Sequence, residues 1–135
     1  MKIGILDDYQ NVALAMANWS NVMQHATVTA FNDHVSGEVA LVERLLPFDV
    51  VCVMRERTAL TRRVLSKLPQ LKLIASTGPR NAAIDEDAAA TLGIAVVGTR
   101  YLSSPTIELT WALTLAVAHN IVVEANAVRS GSWHP

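Results

Sequence analysis

The segment Thr77-Gly78-Pro79-Arg80-Asn81 places a hydroxyl, a glycine, a proline, a guanidinium and an amide in consecutive positions. It follows an apolar run, Lys72 to Ser76, and precedes helical spacing from Ile84 to Leu92. A polar turn between a buried strand and a helix is where α/β sheets place small-ligand sites, outside the carboxyl ends of the strands. Plainer readings stand beside this one: Gly78 serves as a turn glycine, and Asn81 caps the helix near Ile84. Arg55 comes after another apolar run, Asp49 to Met54, and opens toward the same edge of the sheet. With Arg57 it brackets Glu56, so a surface ion-pair cluster explains it as well as a ligand site does. Ser103 and Ser104 precede Pro105 at the head of a long apolar segment, where either serine can cap a helix.

The remaining reactive residue types point nowhere in particular. His25, His34, His119 and His134 are scattered without ligand spacing, and Cys52 lies in the apolar run DVVCVM as a small core residue. One cysteine supports neither a disulfide framework nor a cysteine zinc site, and it is compatible with a reducing cytoplasm. Eleven basic residues nearly cancel twelve acidic ones without forming a block, which excludes a phosphate-tracking surface for nucleic acid. The start, MKIGILDDYQ, lacks the apolar region of a signal peptide. Ile107 to Ala118 contains Glu108 and is shorter than the roughly 20 residues of a membrane span. A cytoplasmic protein with no membrane or nucleic-acid partner is expected.

Five aliphatic runs must carry these residues: Lys2 to Leu6, Thr27 to Phe31, Asp49 to Met54, Lys72 to Ser76 and Ile94 to Val97. Between them, helical spacing covers Val12 to Met23, Gly37 to Leu46, Thr61 to Leu68 and Ile84 to Leu92. Strands apolar throughout, alternating with helices, predict a parallel sheet covered on both faces. Right-handed crossovers make that a flavodoxin-like, doubly wound α/β fold with strand order 2-1-3-4-5. A composition 51% hydrophobic and only 5% aromatic suits a core of Ala, Val, Leu and Ile, with Trp19 inside it. Ser36 and Thr61 are candidate N-caps, and Gly93 fits a left-handed C-cap. A helix from Pro105 to Ala118 follows, and Val122 to Arg129 either continues it or forms a second one. Ile107, Leu109, Trp111, Leu113 and Val117 surround most of its circumference, which implies a missing neighbour and predicts a homo-oligomer through residues 105–118.

The runs VMRERT (53–58), LIASTGPRNAAID (73–85), GIAVVGT (93–99), SSPTIELTWAL (103–113) and VRSGSW (128–133) together resemble the N-terminal half of the NAD-dependent D-isomer-specific 2-hydroxyacid dehydrogenases. The resemblance implies a substrate-binding domain over 1–102 and a crossover helix and linker over 103–135, with a Rossmann domain beyond. It implies hydride transfer between NAD, or NADP, and a 2-hydroxy or 2-oxo acid. The family's substrate-orienting Arg, acid/base His and polarising Glu come from beyond this segment, and no Gly-x-Gly-x-x-Gly occurs in it. The isolated chain is therefore expected to bind no cofactor and to be inactive. In the family, backbone N–H groups after the fourth strand, here at Pro79 and Arg80, hold the substrate carboxylate. Proline has no N–H, so the donors here are Arg80 and Asn81, or the Arg80 side chain grips the carboxylate itself. Thr77, Gly78 and Arg55 complete the implied substrate site, while Ser103 and Ser104 stand toward the nicotinamide.

Two other readings compete. A non-catalytic flavodoxin-like module that binds a carboxylate or a protein shares the same fold. A phosphoacceptor receiver would use Asp7 and Asp8 for Mg²⁺, but it lacks an Asp where Val53, Met54 and Arg55 end the third strand.

Overall fold

The computed structural model describes residues 1–133, leaving His134 and Pro135 outside. Two compact units emerge, Met1–Tyr101 and a second from Leu102 onward. The first holds a parallel five-stranded sheet in the order β2-β1-β3-β4-β5. The strands are β1 (Lys2–Ile5), β2 (Thr27–Ala30), β3 (Val50–Val53), β4 (Leu73–Ser76) and β5 (Ala95–Gly98). Their order and direction are those the uninterrupted apolar runs predict.

Register decides what each face does. Gly4, Val51, Ile74 and Val96 form one row across β1, β3, β4 and β5. This face carries the main core, against Leu41 and Leu45 of α2 (Glu38–Leu45), Val64 and Leu65 of α3 (Arg62–Leu65), and Ala88 and Ala89 of α4 (Glu86–Thr91). Gly4 has no side chain because Phe48 needs its place: a Cβ there would stand 3.3 Å from the ring. Side chains alternate along a strand, so the row Ile5, Cys52, Ala75 and Val97 looks the other way. That row is less covered, with Cys52 half-buried and Val97 49% exposed. Cys52 is therefore the floor of a cleft rather than a core residue.

The thin cover has a local cause. Helical spacing from Val12 to Met23 yields only α1 (Ser20–Met23). Asp8 captures the N–H groups of Val12 and Ala13 at 3.0 and 3.1 Å, and the Trp19 indole donates to the Ala13 carbonyl at 3.0 Å. Side chains that satisfy backbone groups this way compete with helix formation. Trp19 consequently ends half-buried, outside the core.

Helix ends also depart from expectation. Gly37, at φ 99°, replaces Ser36 as the N-cap of α2. Thr61 does cap α3, accepting the Val64 N–H, and Gly93 follows α4 at φ 72°. In the second unit, α5 (Ser104–Ala118) and α6 (Ile121–Arg129) are separate helices, bent by 65° across left-handed Asn120. Among the described residues no single helix is long and apolar enough to cross a membrane.

Candidate functional site

Parallel strands deliver Val53, Ser76 and Gly98 to one edge, and the segments that follow them meet there. At the centre is Gly78, buried at φ +85°, in the left-handed region that favours glycine. Its N–H donates to Thr99 Oγ1 at 2.8 Å. An ideal Cβ on Gly78 would lie 2.7 Å from Cδ of Arg55 and 3.0 Å from its Nη1. The Arg55 side chain thus crosses directly over the turn. Its guanidinium also faces the Tyr101 ring, 5.0 Å from the centroid, and joins no ion pair among the described residues.

The surface cluster offered for Arg55, Glu56 and Arg57 does not form. Arg57 instead lies over the Tyr9 ring at 4.6 Å, and none of these three residues enters an ion pair among the described residues. Both arginines remain exposed cations held by aromatic faces, a contact that leaves the donors of the guanidinium edge available.

Backbone donors complete the cradle. The Thr77 N–H goes to the Val53 carbonyl at 3.1 Å, and that of Gly78 is taken by Thr99. Pro79 has none. The N–H groups of Arg80 and Asn81 donate to no protein acceptor among the described residues. They sit beside a depression of about 130 Å³ lined by Gly78, Pro79, Arg80, Asn81 and Gly98. The Arg80 side chain is exposed beside these N–H groups, and Glu86 also lines the depression.

Two residues of the turn are committed elsewhere. Thr77 Oγ1 accepts the Arg55 N–H at 3.1 Å and turns its own proton toward Met54 Sδ at 3.6 Å. The Asn81 side chain is buried and faces inward. It does not cap the following helix: Asp85 does, accepting the Ala88 N–H at 2.8 Å. Ser103 and Ser104 belong to the second unit, at the N-cap and first position of α5, and neither makes the expected side-chain cap.

Gly98, Thr99 and Tyr101 were not singled out from the sequence, yet they form one wall. A Cβ at Gly98 would fall 2.5 Å from the Gly78 carbonyl oxygen and 3.2 Å from the Pro79 α-carbon, so the two turns pass in backbone contact. The available signal was strand order, which places the Gly-Thr ending of β5 beside the end of β4.

On the opposite side of the turn, an apolar cleft of about 600 Å³ runs between Val12, Met16 and Trp19 and the sheet residues Ile5, Cys52 and Ala75, with Thr77 and Thr99 at its rim. Burial pushes the Cys52 thiol up.

The acidic pair after β1 is engaged within the protein. Asp7 accepts from Thr58 Oγ1 at 2.6 Å and meets His34 Nδ1 at 2.9 Å, while Asp8 binds the backbone of its own turn. No group of three or more His, Cys, Asp or Glu side chains among the described residues could hold a metal ion. The N–H groups that open the first βα connection in a dinucleotide fold are here occupied by the Asp8 carboxylate, so this turn does not fit a cofactor pyrophosphate.

Residues 7–128 match the catalytic domain of the D-isomer specific 2-hydroxyacid dehydrogenases. The D-3-phosphoglycerate dehydrogenase of Methanocaldococcus jannaschii is 38% identical over 94 residues, which cover 69% of this chain and 18% of that enzyme. A glyoxylate reductase of Aeropyrum pernix is 40% identical over 81 residues, 56% of this chain and 24% of the enzyme. In three dimensions the whole chain superposes on 42% of a phosphoglycerate oxidoreductase from Vibrio cholerae, with a TM-score of 0.84 and 39% identity. The chain thus spans less than half the length of these enzymes. With the sheet order, the matched residues and the shared fold in agreement, the chain belongs to the D-isomer specific 2-hydroxyacid dehydrogenases, as their catalytic domain.

Proposed function

We propose that this chain supplies the carboxylate-holding wall of an enzyme that passes a hydride between NAD(P) and a 2-oxo or 2-hydroxy acid. One observation carries the reading: the uncommitted N–H groups of Arg80 and Asn81 share the Gly78 turn with the Arg55 guanidinium. Two fixed peptide donors and a planar cation match the two oxygens of a carboxylate, and being placed beforehand they need no reorganisation when it arrives. Their work is to fix the acid's orientation, which turns the encounter with a hydride donor into an effectively intramolecular one. The dinucleotide is held by a Rossmann domain outside these residues, and Ser103 and Ser104 are this chain's contacts to it. Without that domain the chain neither binds the cofactor nor turns over. The reducing cytoplasm suits the unpaired Cys52.

The test is binding of oxamate, an unreactive analogue of pyruvate, to the 135-residue chain, followed by amide NMR. Arg80 and Asn81 amides should shift on titration. Arg55→Ala should weaken binding roughly tenfold to a hundredfold, the loss expected for one charged hydrogen-bonding group. Unchanged affinity in that variant, or shifts confined to other residues, would sink the assignment.

Self-association through α5 is part of the same proposal. Leu109, Trp111 and Val117 are 60%, 62% and 79% exposed, and a helix apolar on every side is stabilised by a partner. Sedimentation should show a dimer or larger species that Leu109→Glu dissociates; a monomer at high concentration contradicts it.

A further inference from the structure

We infer that Asn81 is a positioning residue, whose buried amide clamps the Arg55 loop to the β4 turn and so sets where the guanidinium stands. The chemical importance of that guanidinium rests on the function proposed above; the clamp itself does not.

The loop from Met54 to Thr58 needs holding. Glu56 within it has φ +56°, a left-handed conformation that is strained for a residue with a side chain. Such a residue persists only where its surroundings fix it. Here two consecutive N–H groups of the loop are taken by side chains of the neighbouring turn. That of Arg55 goes to Thr77 Oγ1 at 3.1 Å, and that of Glu56 goes to Asn81 Oδ1 at 3.2 Å. Asn81 is only 4% exposed, and its bond to Ser76 is buried while that to Glu56 is partly so.

Asparagine suits the position because it joins an acceptor and a donor in one rigid plane. Oδ1 accepts a second N–H, from Ala83 at 3.0 Å, which ties the clamp to the turn's own backbone. Nδ2 donates to Ser76 Oγ at 3.1 Å, and this holds the amide in one orientation at the end of β4. The side chain therefore spans the end of β4, the turn that carries the peptide donors and the loop that carries the cation. Removing it frees Glu56 from its strained conformation and lets Arg55 swing away from Gly78.

The experiment compares Asn81→Leu, close in shape but without polar atoms, with Asn81→Asp, which keeps the Oδ acceptors and lets the Ser76 hydroxyl turn to donate. Three measurements on the full chain are needed: hydrogen exchange of the Glu56 amide, the nuclear Overhauser contact between Arg55 and the Tyr101 ring, and oxamate affinity. Asn81→Leu is expected to speed Glu56 exchange at least tenfold, abolish the Arg55–Tyr101 contact and weaken oxamate to the level of Arg55→Ala. Asn81→Asp should restore slow Glu56 exchange and the Arg55–Tyr101 contact. Should Asn81→Leu unfold the chain, Asn81→Ser, too short to span to Glu56, gives the same comparison. A preserved Arg55–Tyr101 contact with slow Glu56 exchange in a folded Leu or Ser variant overturns the clamp. A lost contact with unchanged oxamate affinity upholds the clamp and overturns the role given to Arg55, so the two failures are distinguishable.

Discussion

Arg55 lies so close across Gly78 that a methyl group on the glycine would stand 2.7 Å from the arginine Cδ, inside any real carbon–carbon contact. The cation and the turn are built around one another.

Gly78→Ala is accordingly expected to fail twice. The left-handed φ of +85° costs about 1 to 2 kcal/mol for alanine, and the new Cβ displaces Arg55 from its place. Thermal denaturation should show a loss of about 2 kcal/mol with oxamate affinity reduced as in Arg55→Ala. A variant of native stability and affinity would contradict the geometry.

Gly98→Ala tests the contact between the two turns. Its Cβ would meet the Gly78 carbonyl oxygen at 2.5 Å, and that neighbour is backbone, which cannot rotate aside. Overpacking of this kind costs about 1 to 3 kcal/mol. Urea denaturation should show it, together with amide shifts at Gly78 and Arg80. Gly93→Ala is the contrasting control, because nothing lies within 4 Å of its Cβ and only its φ of +72° opposes the change.

Cys52 should be slow to react. Burial disfavours its thiolate and pushes the thiol above the usual range of free cysteine, so at pH 8 the native chain holds less of the nucleophile than the unfolded one. Alkylation by iodoacetamide should be several-fold slower in the folded chain and should rise with pH beyond the range where free thiols level off. Equal rates with and without urea would show the apolar cleft to be more open than its lining implies.

Asp49 predicts a pH dependence. The Lys2 backbone N–H, donated at 2.8 Å, is the main cause holding its carboxyl below the ordinary value, with the Lys72 ammonium 3.7 Å away as a lesser one. A pKa depressed in the folded state means stability that is fully present above the unfolded value, about 3.9, and lost as pH falls through the folded one. Asp49→Asn should lower the urea midpoint at pH 7, and the gap should close as the pH drops below about 4. A gap that stays constant down to pH 2 would assign the effect to something other than charge.

How much of the site was legible depended on distance along the chain. The turn at 77–81 and the cation at Arg55 stood out because residue type and the end of an apolar run coincide locally. The partners of these residues were hidden. Arg55 finds Thr77 and Glu56 finds Asn81 across 22 and 25 residues, and Asp7 meets Thr58 across 51. Asn81 carried two ordinary readings, helix cap and backbone donor; its side chain does not cap, because a neighbouring strand end brings the Glu56 N–H to it.

The sequence by itself determined the five parallel strands and their order, since burial on two faces demands unbroken apolar runs and right-handed crossovers leave few topologies. Tertiary structure alone decided that α1 would shrink to Ser20–Met23, that Ser103 would leave its cap unmade, and that Gly78 and Gly98 would touch. Periodicity is a property of neighbours along the chain. Hydrogen bonds and close contacts belong to neighbours in space, and those exist only once the sheet has set the register.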